Sequence, residues 1–264
     1  MSCIEVRNGL LTAAGILLLA SVPVRGQGNA TCTVGSGAYN TYGVNGKVGA
    51  PFSGTTKTTF EQTLADGSRI HSETTSFQAR DSVGRVRTEE VEDCQVGEDG
   101  QPHPRVRVQV SDPTTHSNLM WETGESTQKV VQVFHYDPTP RKQTPEDLAE
   151  RQRQMKLSQL RWQSQSQNRT EAQLGTREIN GQLAKGNRMT VVVPAGAEGN
   201  EQPLETMQEM WKSDALDLVL MAASSDPRRG KTTFEYENLT FSEPDPGLFK
   251  APDGYRVIDQ HPYE

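Results

Sequence analysis

Apolar residues are scarce in this sequence, and aromatic residues are scarcer still. Hydrophobic residues make up 33% of the 264 residues, and Phe, Trp and Tyr together make up 6%. A parallel sheet covered by helices on both faces needs strands that are apolar almost throughout. The composition therefore favours an antiparallel sheet that keeps one face in contact with water.

Long hydrophobic runs are also missing. The one extended apolar run, residues 9–22, stops before Pro23 and Arg25, whereas a membrane-spanning helix needs about 20 apolar residues. With Arg7 in front and small residues at 24–27 behind, the run has the three parts of a secretory signal peptide. We therefore predict a signal peptide at residues 1–26 and a mature protein without a transmembrane segment.

The cleavage position of this signal peptide stays open, and lipid attachment is not expected. Cleavage is expected after Gly26, with Ala30 as the alternative position. Lipid attachment at Cys32 is not expected, because the residues before it are polar and ten residues separate it from the apolar run. The mature protein is thus expected in the periplasm or outside the cell, with residues 27–50 as a flexible N-terminus.

Cysteine is nearly absent. Of three cysteines, Cys3 falls within the leader, so Cys32 and Cys94 remain as one candidate pair. In an oxidising compartment we predict a disulfide between them, with free thiols as the alternative. Closing this loop would stabilise the fold by roughly 4 kcal/mol in the chain-entropy model, which is a structural role.

An excess of positive charge is missing as well. The net charge is −7 at neutral pH, so the chain lacks the concentrated basic face that nucleic-acid binding requires. Attraction to an anionic membrane surface through charge is excluded on the same ground.

The signals for catalysis and metal binding are absent too. The five histidines include no His-x3-His pair, and the cysteines include no Cys-x2-Cys pair. No Gly-x-Ser-x-Gly elbow occurs either. Adjacent carboxylates such as Glu89-Glu90 are expected by chance in an acidic chain. We predict no catalytic residue, no metal site and no cofactor, and hence a protein that is not an enzyme.

What the sequence does contain is the period-two alternation of strands. It runs through residues 55–91, 105–110, 118–121, 130–134, 177–179, 189–193 and 231–241, and an Asn180-Gly181 pair marks a hairpin turn. Residues 92–104 are predicted to be a polar loop, and residues 204–222 are compatible with a helix or with strands. The predicted fold class is mainly β (α+β), with one antiparallel domain at residues 51–258, one or two helices and a tail at 259–264.

The middle of the chain differs from the rest. Thr144 as a cap, Pro145 at the first helical position and the acidic residues that follow predict a polar helix to about Trp162. A low-complexity linker is predicted at residues 164–167. We expect residues 140–170 to be an excursion from the β domain, with a solvated charged surface.

Several short motifs resemble an uncharacterised family of exported, β-rich proteins of soil bacteria. They are residues 64–70 (LADGSRI), 80–89 (RDSVGRVRTE), 174–177 (LGTR), 194–200 (PAGAEGN), 209–211 (EMW), 225–228 (SDPR) and Leu248-Phe249 with Pro252 and Tyr255. More distantly, a meander with this ending is similar to the lipoprotein-carrier (LolA-like) half-barrel. That resemblance implies a curved antiparallel sheet around an apolar groove, and strand–turn–strand at residues 204–222.

The same resemblance implies candidate ligand-facing side chains on the concave side: Phe60, Phe77, Trp121 and Trp211. The alternative is that these four aromatic residues are simply core. The highly polar helix departs from the pattern, because a helix that plugs an apolar groove should be apolar.

Two functions follow as hypotheses. The first is an exported, non-enzymatic protein that binds a lipid, an acyl chain or an exported partner on the concave sheet face. The second is a structural or protein-interaction domain of the cell envelope with no small-molecule ligand, and an exported hydrolase is a distant third.

Overall fold

The computed structural model describes residues 44–96, 99–124, 127–139, 144–166 and 168–260. The predicted signal peptide, its cleavage site, residues 27–43 with Cys32 and most of the predicted tail lie outside the described residues. The export signal and the Cys32–Cys94 disulfide therefore stay predictions. No helix in the described ranges is both long enough and apolar enough to cross a membrane.

In these residues the chain forms twelve strands and two helical segments. The strands are β1 (Phe52–Thr63), β2 (Arg69–Arg80), β3 (Val86–Val96), β4 (Pro102–Asp112), β5 (Ser117–Thr123), β6 (Val130–His135), β7 (Arg169–Ile179), β8 (Gln182–Val193), β9 (Leu204–Ser213), β10 (Leu218–Asp226), β11 (Gly230–Thr240) and β12 (Arg256–Gln260). The helical segments are α1 (Pro145–Ser166) and a short 3₁₀ turn at Pro246–Phe249.

All strands belong to one open sheet. Its order is β12-β6-β5-β4-β3-β2-β1-β11-β10-β9-β8-β7. The chain starts in the middle at β1, runs by hairpins to β6, continues through α1 to the opposite edge at β7, and returns to pair β11 with β1. Every pair is antiparallel except β12 with β6, which is parallel. The predicted mainly-β, antiparallel fold class is confirmed.

The boundaries differ from the prediction in two places. β3 and β4 extend through most of the predicted loop at 92–104, and α1 and β7 together leave little of the predicted linker. Residues 204–222 form β9, a turn and the first half of β10, and these two strands pair side by side in antiparallel orientation, as the resemblance implied. Long neighbouring strands extend each other by hydrogen bonding, which overrides the local Gly and Pro signals.

Two apolar clusters lie on opposite faces of this sheet. We call these faces the Phe52 face and the Trp121 face. β1 and β2 pair Phe52 with Arg80 on one face and Ser53 with Ala79 on the other. The Phe52 face carries the buried side chains of Phe52, Ala222, Phe234 and Tyr236. The Trp121 face carries the buried side chains of Ala79, Val108, Val110, Trp121 and Val131.

The sheet curls strongly at its β7 edge. The amide of Asn180, in the β7–β8 turn, donates a 3.0 Å hydrogen bond to the main-chain oxygen of Tyr236 in β11. Because β8 and β11 are three strand positions apart, a flat sheet would separate them by about 14 Å. The turn therefore folds back over the sheet, and Ile179 beside it packs against the cluster on the Phe52 face.

The β2–β3 turn holds the segment that precedes β1. The fully buried Arg80 donates to the main-chain oxygens of Asn45, Ala50 and Leu216 at 3.0, 2.8 and 2.6 Å. Gly84 has a φ of +91°, and a Cβ there would lie 2.6 Å from the oxygen of Gly46. This turn therefore requires glycine for both conformation and space.

The same turn holds the segment that follows β11. Arg87 donates to the main-chain oxygen of Leu248 at 2.7 Å, and the Arg85 guanidinium lies 4.9 Å from the Phe249 ring centroid. Phe249 is buried against the Trp121 face. Residues 80–89 thus contact both the segment that precedes β1 and the segment that follows β11, and they hold both against the sheet.

Helix α1 is exposed along its described side chains. Every residue from 144 to 160 is exposed, as the predicted solvated surface requires. The Thr144 hydroxyl accepts from the Asp147 amide, and the Asp147 carboxylate accepts from the Thr144 amide. This reciprocal cap and the acidic first turn stabilise the helix start.

Candidate functional site

A groove on the Phe52 face is the candidate functional site, and we call it the Phe60 groove. It has a volume of about 530 Å3 and lies near the strand ends of β1, β11, β10, β9 and β8. Its lining includes the half-buried side chains of Phe60, Met189, Met207, Ser224 and Thr232. Small-molecule sites typically have volumes of about 300–1,000 Å3, which includes this value.

Strand register explains the shape of the groove. Phe60 pairs with Thr232, Thr232 with Ser224, Ser224 with Gln208, and Gln208 with Met189. These five residues form one row across five strands. The row has large apolar side chains at its two ends, and the small hydroxyl side chains of Thr232 and Ser224 and the exposed amide of Gln208 lie between them, so that a trough lies between Phe60 and Met189.

The inner end of the groove leads toward the buried cluster. Two residues further along β11, Phe234 is 2% exposed, and its partner Ala222 in β10 is 1% exposed. Side chains two residues apart on a strand point to the same face about 7 Å apart. The trough is therefore closed by apolar side chains at its inner end.

The outer end of the groove is built by two loops. The Arg228 guanidinium donates from Nε and Nη2 to the Asp226 carboxylate at 2.9 and 2.8 Å, and it also pairs with Glu198 of the β8–β9 loop. The hydrogen bond from Arg228 lowers the pKa of Asp226. This charge cluster joins the motifs at residues 194–200 and 225–228, which are distant in sequence.

The four predicted ligand-facing aromatic residues are separated by the fold. Phe60 lines the groove. Phe77 and Trp121 lie on the Trp121 face, where Trp121 is 3% exposed and packs in the cluster that Phe249 covers. Trp211 pairs with Gly186 and Met221. It is 6% exposed within the same buried cluster as Phe52 and does not line the Phe60 groove.

Trp211 belongs to a polar–aromatic cluster on β7–β10. Its indole Nε1 donates to Glu209 at 2.7 Å, and the Arg177 guanidinium lies 4.0 Å from its ring centroid. Arg188 donates to the same Glu209 carboxylate at 2.7 Å. The hydrogen bond from Trp211, followed by that from Arg188, lowers the pKa of Glu209.

Sequence reasoning missed most of the groove. Met189, Met207 and Arg229 were assigned to strands or turns and not to a site, because they lie on different strands from Phe60. The available signal was the alternation itself, which places Thr232 and Phe234 on one face of β11.

A second groove, of about 590 Å3, lies across β4, β5, β6 and β12. Its two arginines are engaged by carboxylates: Arg107 pairs with Glu92, and Arg105 lies 3.6 Å from Glu122. The charged side chains of this groove therefore satisfy one another. In the described part of the chain, no group of three or more His, Cys, Asp or Glu side chains is arranged to hold a metal ion.

No protein-family model and no curated protein matches this chain. Similar solved structures include the MucA/MucB complex of Pseudomonas aeruginosa, with 13% identity over 79% of this chain and a TM-score of 0.29. The chain spans 58% of that MucB structure.

Two other similar structures are described as lipoprotein-related. One is the Mycobacterium tuberculosis lipoprotein LppX, with 11% identity, 74% of this chain and 90% of that chain covered, and a TM-score of 0.27. The other is a putative outer membrane lipoprotein-sorting protein domain from Vibrio parahaemolyticus, with 12% identity, 76% and 89% coverage, and a TM-score of 0.22. The sequence resemblance named the lipoprotein-carrier (LolA-like) half-barrel, and these two lipoprotein-related proteins are among the similar structures.

Proposed function

We propose that this chain is an exported, non-enzymatic binding protein that holds one acyl chain in the Phe60 groove. The observation that carries the proposal is the row Phe60–Thr232–Ser224–Gln208–Met189. An acyl chain in the groove would bury apolar surface against Phe60 and Met189, which is favourable by roughly 25 cal/mol per Å2.

The position of the groove supports the same ligand. Phe234 and Ala222 of the buried cluster lie next to Thr232 and Ser224 on the same face of the sheet, just beyond the groove lining, so apolar side chains border the inner end of the groove. Met189 and Met207 add unbranched side chains that adapt to a flexible ligand. The proposed export and envelope location rest on the sequence at residues 1–26.

The test is native mass spectrometry of the purified mature protein, with palmitate and, separately, monopalmitoylglycerol as probes. We expect a 1:1 complex with at least one of them. Thr232→Phe fills the floor of the trough and should abolish the complex, whereas Thr233→Phe places the same ring on the opposite face of β11 and should retain it.

Failure to bind either probe would overturn this function. It would favour the alternative, a protein-interaction domain of the cell envelope without a small-molecule ligand. Equal loss of binding in both phenylalanine variants, with both folded by circular dichroism, would remove the Phe60 groove as the binding site.

A further inference from the structure

We infer that Arg229 makes the Phe60 groove selective for a long-chain fatty acid, by pairing with its carboxylate. This inference rests on the proposed function and adds the chemical class of the ligand's head. Arg229 lines the groove at its outer end and is exposed.

The two adjacent arginines of the turn differ in their partners. Arg228 is occupied by two carboxylates, Asp226 and Glu198. Arg229, in contrast, makes no ion pair with a carboxylate among the residues that the structure describes. Its guanidinium is thus available to a ligand.

The turn at residues 226–230 fixes the position of the Arg229 main chain. Its main-chain amide donates to the Asp226 oxygen at 3.0 Å, and Gly230 follows with a φ of +91°. A Cβ at Gly230 would lie 2.3 Å from the Glu61 oxygen, so the turn packs tightly against β1. The origin of the Arg229 side chain is therefore set by rigid backbone at the entrance.

Distance along β11 gives the arrangement of head and chain. From Gly230, the first residue of β11 and the neighbour of Arg229, to Phe234 is four residues, roughly 13 Å in an extended strand. A carboxylate at Arg229 would let the hydrocarbon chain run over Thr232 and Ser224 toward Phe234. The closed inner end accepts an apolar methyl terminus but would leave a second polar head without partners.

The chemistry of the cation favours a carboxylate. A guanidinium presents parallel N–H groups that match the two oxygens of a carboxylate, and such charge-assisted pairs are stronger than neutral hydrogen bonds. One unengaged guanidinium balances one negative charge. A neutral monoacylglycerol would gain the same burial of its chain and would lose this pair.

The experiment compares three single-chain ligands by isothermal titration calorimetry: palmitate, monopalmitoylglycerol and palmitoyl lysophosphatidic acid. Wild type is expected to bind palmitate about tenfold more tightly than the neutral ligand, as one charged hydrogen-bonded pair allows. Arg229→Gln should reduce this preference to below about threefold. Arg256→Gln, which removes an exposed arginine at the far edge of the sheet, should keep it.

The outcomes separate the inference from the proposed function. Equal affinity of wild type for palmitate and the neutral ligand, or an unchanged preference in Arg229→Gln, would overturn the role of Arg229 while the groove remains a binding site. Tighter binding of the lysophosphatidic acid than of palmitate would show that the site prefers a phosphate head group to a carboxylate, and it would overturn the fatty-acid assignment. Binding of none of the three would overturn the proposed function itself.

Discussion

The indole of Trp211 in β9 lies directly against the backbone of Gly186 in β8. The two residues are paired in register, and a Cβ at Gly186 would lie 2.7 Å from Cη2 and Cζ3 of the indole. The φ of Gly186 is not positive, so space rather than conformation requires glycine there. Gly186 allows Trp211 to be 6% exposed within the curled edge of the sheet.

Gly186→Ala is therefore expected to destabilise the protein by about 1–3 kcal/mol, the usual cost of overpacking. Arg177 and Glu209 hold the indole, so it has little freedom to move aside. Urea unfolding measures the change. In a Trp211→Leu background the same substitution should cost clearly less, and an equal cost would show that the indole is not the obstacle.

Arg80→Met should release the segment before β1. The variant loses the donors to three main-chain oxygens, and hydrogen bonds to charged groups are worth about 1.5–3 kcal/mol each. Because three such bonds are lost, we expect the free energy of unfolding to fall by at least about 3 kcal/mol. Trypsin should then cut after Lys47 faster than in wild type, whereas the exposed-site control Arg69→Met should leave that rate unchanged.

Tyr236→Phe tests a buried polar pair. The Tyr236 hydroxyl donates to the Gln78 side-chain oxygen, and the residues are 4% and 3% exposed. Burial raises the pKa of Tyr236, which keeps the hydroxyl a neutral donor. Removing it leaves the Gln78 oxygen unpaired, so we expect a loss of about 1–3 kcal/mol. Adding Gln78→Leu should recover part of that loss in thermal unfolding, and a further loss would contradict the pairing.

Acid should weaken the β7–β10 cluster through Glu209. Hydrogen bonds from Trp211 and Arg188 lower the pKa of Glu209 below its ordinary value of 4.5. Its contribution to stability is complete above pH 4.5 and is lost as the pH falls through the lowered pKa. Melting temperatures measured from pH 7 to pH 3 should therefore fall less below pH 4.5 in Glu209→Gln than in wild type. Glu178→Gln, on the exposed side of β7, should follow the wild-type curve.

Helix α1 should be dispensable for the fold. Replacing its 22 residues by a Gly/Ser linker of equal length removes side chains that are exposed from 144 to 160. Such a linker has an end-to-end distance of about 26 Å, comparable to the roughly 33 Å length of the helix. We expect the melting temperature to change by less than about 3 °C, since 1 kcal/mol corresponds to about 2–4 °C at this size. Phe249→Ala, which empties a buried site, should lower it well beyond that, and a similar drop for the linker variant would show that α1 covers part of the sheet.

Local signals predicted local structure well. Asn180-Gly181 predicted a hairpin turn, and both residues have positive φ, 50° and 75°. Thr144 and Pro145 predicted the helix start, and Thr144 caps α1. These signals act within a few residues, so the sequence alone contains their cause.

Other features were predicted in part or not at all. The prediction of a loop at residues 92–104 was wrong, because the pairing between β3 and β4 continues through this segment. Cys94 pairs with Pro104, and Val96 pairs with Pro102. Of the residues that line the Phe60 groove, only Phe60 was a candidate site residue. Met189 and Arg229 lie far from Phe60 in the sequence, and only the pairing of the strands brings them close to it. Period-two alternation shows that a strand has an apolar side but does not show which partner covers it.

The sequence by itself determined the mainly-β class, the turn and cap positions, and the alternation of each strand, because these depend on backbone preferences and neighbouring residues. Only the tertiary structure decided that Phe52 and Trp121 belong to clusters on opposite faces, and that Phe77 does not line the groove in which Phe60 lies. The physical reason is that a strand exposes two faces, and pairing register with distant strands assigns each face its neighbours.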